Sequence, residues 1–207
     1  AIKKNGLPPV ITLQGSEVYL HTQFRELLAQ SIESQEGELD LTTLDLEEES
    51  LDRVLDDAEM YSFFVDQRLI FVEHADFLST TPNVKLTDRE QERLLDYLSN
   101  PNPATHLVFV MPHDQLDKRR KLSKTFLKET FFVNCTPLDE GQVTRYVQQY
   151  LQTAQMDISR DAVNELLRRV NYQLSLAIAE IEKLKQYGQS GSKISVEVVK
   201  SLVSRSL

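Results

Sequence analysis

Cysteine, glycine and surplus positive charge are all scarce in this sequence. A single cysteine, Cys135, leaves no intrachain disulfide and fits a reducing compartment. No apolar run approaches the roughly 18 residues that cross a bilayer, and no secretory-leader pattern opens the chain, so no membrane partner is expected. With 32 acidic against 23 basic residues, the net charge of −9 argues against phosphate binding over the whole surface. Nucleic-acid contact would need a local basic patch.

The few glycines also leave the usual nucleotide cradles unbuilt. The first glycine turn reads LQGSEVYLHTQF, from Leu13 to Phe24. A P-loop needs a second glycine and a Lys-Ser/Thr pair, so that backbone N–H groups, an ammonium and a hydroxyl converge on phosphates. His21 and Thr22 do not replace that geometry. The dinucleotide pattern G-x-G-x-x-G is missing too. His21, His74, His106 and His113 show no zinc-motif spacing, and no Ser elbow or Cys-His signature marks a nucleophile. No cofactor, no metal and no catalytic residue is therefore expected. Glu73-His74-Ala75-Asp76 reads either as an acidic metal-binding pair or as solvated polar residues at a strand end. The second reading is preferred with no phosphate loop to serve. Cys135 reads as a small buried core residue.

What remains is an ordinary globular composition, 41% hydrophobic and 27% charged over 207 residues. The first half alternates strand and helix patterns. VITL (10–13) precedes a helix with Ser16 as cap and Tyr19, Leu20, Phe24, Leu27, Leu28 and Ile32 on its apolar face. Leu39, Leu41, Leu44 and Leu46 mark an extended stretch. RLIFV (68–72) and HLVFVM (106–111) read as buried strands, and FFVN (131–134) as the last. Between them, Thr87 and Glu90 stand at capping-box spacing, and Asn100–Pro103 stops that helix. A mostly parallel sheet covered on both faces follows. After Pro137 the pattern is all helical. Helices are expected from Asp139 to Ala154 with Thr136 or Leu138 near the cap, from Ser159 to near Asn171, from Leu174 to Gly188, and after Ser195. Gly188–Gly191 reads as a turn. The expected division is 1–137 and 138–207.

Two surface features stand out. In SLDRVLDDAEMYSFF, Ser50 is a plausible N-cap and Leu51, Val54, Leu55 and Ala58 form a core stripe. If the helix continues, Met60, Phe63 and Phe64 form a second apolar patch on the opposite side, a docking surface. If it stops near Ser62, both phenylalanines turn into the core. The spacing leaves both readings open. The second feature is LDKRRKLSK, where Arg120, Lys121, Lys124 and Lys128 share one face of a helix expected over 118–128. That stripe reads either as a contact for phosphate or an acidic partner, or as a solvated helix exterior.

The order of GSEVYL (15–20), AEMYSFFVDQRLIFVEHADFL (58–78), YLSNPNPATHLVFV (97–110), LDKRRKLSK (116–124) and LSLAIAEIEKLKQY (174–187) resembles the delta subunits of the bacterial DNA polymerase III clamp loader. The resemblance implies an AAA+-like (P-loop NTPase-type) α/β domain over 1–137 with a degenerate P-loop, and a small helical lid over 138–207. It also implies a C-terminal collar domain missing from this chain, which would then be a fragment. It accounts for the missing nucleotide motifs, since delta subunits have the AAA+ architecture without binding ATP. The lid pattern G-D-L-R of ATP-binding relatives is replaced by Tyr172-Gln173-Leu174-Ser175. It implies that Phe63 and Phe64 insert into the sliding clamp (beta subunit), flanked by Met60, Tyr61 and Ser62. The implied protein has no catalytic site of its own within the DNA polymerase III holoenzyme and is cytoplasmic. Its further partners would be the delta prime and tau/gamma subunits, mainly through the collar, and primer-template DNA, with the fragment itself monomeric. The rival expectation is a nucleotide- or nucleic-acid-binding enzyme on a doubly wound sheet.

Overall fold

The structure is a computed structural model that describes residues 7–33, 39–60, 67–188 and 193–206. The chain divides into two compact units, Ala1–Pro137 and Leu138–Leu207. The first is built on five parallel strands, β1 (Val10–Gln14), β2 (Leu39–Asp45), β3 (Gln67–Glu73), β4 (Thr105–Met111) and β5 (Phe131–Asn134), in the order β2-β3-β4-β1-β5. Each central strand is buried on both faces because its residues alternate between two cores. Ile70, Val72, Leu107, Phe109 and Met111 face one core, and Leu69, Phe71, Val108 and Val110 the other. That double burial is why these segments read as continuous apolar runs.

Helices α2 (Leu51–Glu59), α3 (Asp88–Ser99) and α4 (Lys121–Glu129) cover the first face. Phe77, Phe109 and Phe126 meet edge to face there, with ring centroids 5.1 to 6.1 Å apart, and fix α4 on the sheet. Helix α1 (Val18–Glu33) packs against the other face through Leu20, Phe24 and Leu28. Arg25 lies over the Phe71 ring at 4.4 Å and pairs with Glu73, so its stem and guanidinium finish the cover there.

The second unit contains α5 (Glu140–Thr153), α6 (Arg160–Arg169), α7 (Leu174–Gly188) and α8 (Val196–Leu202). Val147, Leu166, Leu174, Ile181, Leu184 and Val199 are among its buried residues. Ser159 and Ser195 cap α6 and α8 as the sequence predicts, and Thr87 with Glu90 forms the expected capping box of α3.

Several boundaries differ from the sequence reading. Ser16 does not cap α1; its N–H and hydroxyl turn to Asp114. Leu27 lies off the apolar face, 53% exposed. Asp139, not Thr136 or Leu138, caps α5, because its carboxylate accepts from Gln142 N–H while the Gln142 side chain accepts from Asp139 N–H. The turn expected at 188–191 has Gly188 as the last residue of α7; the rest lies outside the described residues.

Candidate functional site

Helix α2 forms for the reasons its sequence gives. Ser50 Oγ accepts from Arg53 N–H, and Leu51, Val54, Leu55 and Ala58 are all buried on one stripe. Its outer side carries Asp52, Asp56 and Glu59, one per turn. Arg93 of α3 reaches across and bonds to all three, at 2.9, 2.6 and 2.9 Å. The helix then ends earlier than a continuous aromatic patch requires: Glu59 is its last residue, and Met60 is extended with ψ 126. The cause is tertiary. In a longer helix the carbonyls of Asp57 and Ala58 would accept from residues 61 and 62. Here Arg68 Nη1 donates to the Asp57 carbonyl at 2.6 Å and Asn102 Nδ2 to the Ala58 carbonyl at 3.0 Å. Arg68 is itself fixed by Asp40 at 3.1 Å. Met60 leaves this end 54% exposed. Tyr61, Ser62, Phe63 and Phe64 lie outside the described residues.

The turn after β1 is closed to phosphate by its own hydrogen bonds. Gly15 N–H donates to the Met111 carbonyl, Glu17 N–H to the Cys135 carbonyl, and Tyr19 N–H to the Glu17 carboxylate. Ser16 N–H and Oγ–H both donate to the Asp114 carboxylate, at 2.8 and 2.9 Å. The Nε2 of His21 lies 2.7 Å from the Gly15 carbonyl oxygen. A P-loop leaves such N–H groups free for an anion; here they face protein oxygens, two of them carboxylates that would repel phosphate. The rival expectation of a nucleotide enzyme loses its geometric basis at this turn. Gly15 has φ 131 and packs so closely on β5 that a Cβ would stand 2.1 Å from the Cys135 carbonyl carbon. Cys135 is buried, and that burial pushes its thiol up to about 11.

The Glu73–Asp76 segment is not uniformly solvated. Glu73 pairs with Arg25, while Asp76 is 3% exposed and accepts from Asn83 and Val84 N–H at 2.8 and 3.0 Å. Asp76 therefore pins the following loop and does not meet Glu73. His74 instead meets Asp45, with Nδ1 2.8 Å from the carboxylate. The Glu47 N–H, and then His74, hold Asp45 below the usual carboxylate range; Asp45 in turn raises His74. With Glu47 they form a cluster exposed at the strand ends. Its members stand at and just after the ends of the neighbouring strands β2 and β3, so no sequence spacing marks it, and the His74–Asp45 hydrogen bond explains its geometry.

The basic segment differs from a single four-residue stripe. Helix α4 begins at Lys121, and Arg120 precedes it, donating through Nη1 to the Phe77 carbonyl at 2.6 Å. Arg120 thus serves the fold. Lys121, Lys124 and Lys128 remain together on the outer side of α4, opposite the buried Leu122, Ser123 and Phe126. In the second unit, Ser175 is the second residue of α7, where the lid arginine would stand. Tyr172, at that pattern's glycine, holds the left-handed φ 53 that glycine favours.

This all-parallel five-stranded sheet with a closed phosphate turn, followed by a helical unit, is an AAA+-like architecture. Thermotoga maritima RuvB, a Holliday junction branch migration motor, shares the fold over 97% of this chain and 62% of its own, with a TM-score of 0.51 at 11% identity. The family model for the DNA polymerase III delta subunit matches residues 13–136, and a model described as a middle domain matches residues 140–201. The chain belongs to the DNA polymerase III delta subunit family. It is 32% identical over 208 residues to the DNA polymerase III subunit delta of Bacillus subtilis, covering all of this chain and 60% of that protein. The solved Bacillus subtilis DNA clamp loader delta protein superposes with a TM-score of 0.76 at 31% identity, over 99% of this chain and 61% of its own. The chain thus spans about three-fifths of the length of these relatives.

Proposed function

We propose that this chain is the clamp-engaging part of a clamp-loader delta subunit in bacterial DNA replication. It would bind the sliding clamp through Phe63 and Phe64, with Met60, Tyr61 and Ser62 at the flanks, without binding ATP or catalysing a reaction itself. The observation that carries this reading is the family match over residues 13–136, which contains both phenylalanines. The exposed Met60 at the end of a helix anchored by Arg68, Asn102 and Arg93 supports it, because such a helix presents the following residues from a fixed root. Other loader subunits would bind the ATP, and the delta prime and tau/gamma subunits would join mainly through a collar region. The assembly would act on primer-template DNA in the cytoplasm, within the DNA polymerase III holoenzyme.

Burying two phenylalanines contributes about 1.5–3 kcal/mol each before the cost of association. Affinity alone does not open a ring. A ligand shifts a conformational equilibrium only by its differential affinity for the two states, so the wedge must fit the open or strained clamp interface better than the closed one. The test is a Phe63→Ala/Phe64→Ala variant measured for clamp binding by surface plasmon resonance, with circular dichroism as the fold control. A loss of at least about 100-fold with the fold intact is expected, corresponding to about 3 kcal/mol. Unchanged affinity removes the site, and a variant that unfolds places both rings in the core.

A further inference from the structure

We propose that the outer face of α4, carrying Lys121, Lys124 and Lys128 with Lys118 just before it, binds the phosphate backbone of nucleic acid. Residues 118–128 hold six basic and no acidic side chains in a chain of net charge −9. Among the described residues, Lys118, Lys121 and Lys124 are exposed and have no carboxylate partner, and Lys128 pairs only with its neighbour Glu129. At 3.6 residues per turn the three helical lysines fall within about 60° of arc, and at 1.5 Å per residue they extend along about 10 Å. That row matches consecutive phosphates on a strand rather than a single anion.

The same face argues against an acidic protein as the occupant. A protein interface draws its energy from buried aromatic, apolar or arginine anchors and is depleted in lysine. Here Leu122 and Phe126 are spent in the core, Arg120 is spent on the Phe77 carbonyl, and the exposed Arg119 is paired with Asp117 two residues before it. What the surface offers is a lysine row without an apolar centre, which suits sequence-independent phosphate contact. The overall acidity does not cancel it. The densest acidic stretch, 45–59, divides its eight carboxylates equally between α2 and the strand end and turn before it, and α3, which touches both α2 and α4, carries four more against two arginines. Helix spacings of about 8–10 Å put α2 roughly 20 Å from α4, beyond the ~8 Å Debye length at physiological salt.

The test is fluorescence anisotropy with a labelled 20-base-pair duplex, titrated with the 207-residue chain at 20 to 150 mM NaCl. A Lys121→Gln/Lys124→Gln/Lys128→Gln variant is compared with Lys183→Gln/Lys185→Gln/Lys193→Gln, which removes the same charge from the second unit. The stripe variant is expected to bind at least about tenfold more weakly at low salt. Its slope of log affinity against log salt should fall by about 2–3, while the control stays within about twofold of the parent. No duplex binding by the parent, equal losses in both variants, or displacement of the duplex by poly-glutamate at the same charge concentration each overturns the proposal. None of these outcomes touches the clamp site, which the Phe63/Phe64 variant reads separately.

Discussion

At the scale of single residues, the turn after β1 shows how one position commits a fold. Gly15 has a positive φ and no room for a Cβ against the Cys135 backbone. Replacing it with alanine should therefore both strain the backbone and push β5 from β1, which pair from Ile11 with Phe131 to Gln14 with Asn134. The contact is with backbone, which has no rotamer to move away. Gly15→Ala should cost at least about 3 kcal/mol in urea unfolding, well above the ordinary ~1 kcal/mol of a point substitution. A cost under about 1 kcal/mol would show that β5 yields. The sequence marks Gly15 as the turn and marks the nucleotide motif as missing. It does not reveal what fills the vacated role, because the carboxylate on Ser16 comes from Asp114, 98 residues later. Tyr172 was illegible for the opposite reason. A left-handed tyrosine has no sequence signature, and its conformation shows only once Tyr172 N–H is seen to bond the Leu167 carbonyl.

At the scale of elements, the strands and the caps of α2, α3, α6 and α8 were legible, while the starts of α1, α4 and α5 and the end of α2 were not. RLIFV and HLVFVM announce β3 and β4 because double burial leaves almost no polar position inside them, FFVN announces the edge strand β5 by its β-branched and aromatic residues, and caps such as Thr87, Ser159 and Ser195 are local chemistry. The end of α2 is set by Arg68 and Asn102, whose side chains lie 11 and 44 residues beyond the carbonyls they bond. Local periodicity carries no trace of them, so a longer helix through Phe64 looked equally good. Asn102 performs two tasks: Nδ2 donates to Ala58, and Oδ1 accepts from Ala104 N–H at 3.1 Å. Asn102→Ala loses both and should destabilise the chain by about 1–3 kcal/mol. Asn102→Asp keeps the acceptor but turns a negative charge toward the carbonyl end of α2, where the helix dipole disfavours it. We expect Asp to be at least as costly as Ala at pH 7, measured by urea unfolding, with the Asp cost shrinking as the carboxyl protonates near pH 4. An Asp variant as stable as the parent would mean that the donor on Ala58 contributes little.

At the scale of the whole molecule, the charge of −9 is unevenly distributed. Residues 1–137 carry 24 acidic against 14 basic side chains, and 138–207 carry 8 against 9. Within the first unit the helical layer α2–α3–α4 runs from acidic to basic, so the proposed clamp wedge leaves from its acidic end and the proposed phosphate row lies at its basic end. The local charges were legible in the sequence; their separation was not, since only the sheet order puts α3 between them. The root of the proposed wedge at Met60 and the lysine row of α4 lie on opposite sides of α3, and the two sites should behave independently. Substitutions more than about 7–10 Å apart add to within about 0.5 kcal/mol. The prediction is a four-protein cycle: parent, Phe63→Ala/Phe64→Ala, Lys121→Gln/Lys124→Gln/Lys128→Gln, and all five together, each measured against clamp and against duplex. The lysine changes should leave clamp affinity within about threefold, the phenylalanine changes should leave duplex affinity within the same margin, and the combined protein should show both losses undiminished. A coupling above about 1 kcal/mol in either assay would mean that the two ends of the layer form one surface, and that clamp and nucleic acid are read by a single site rather than two.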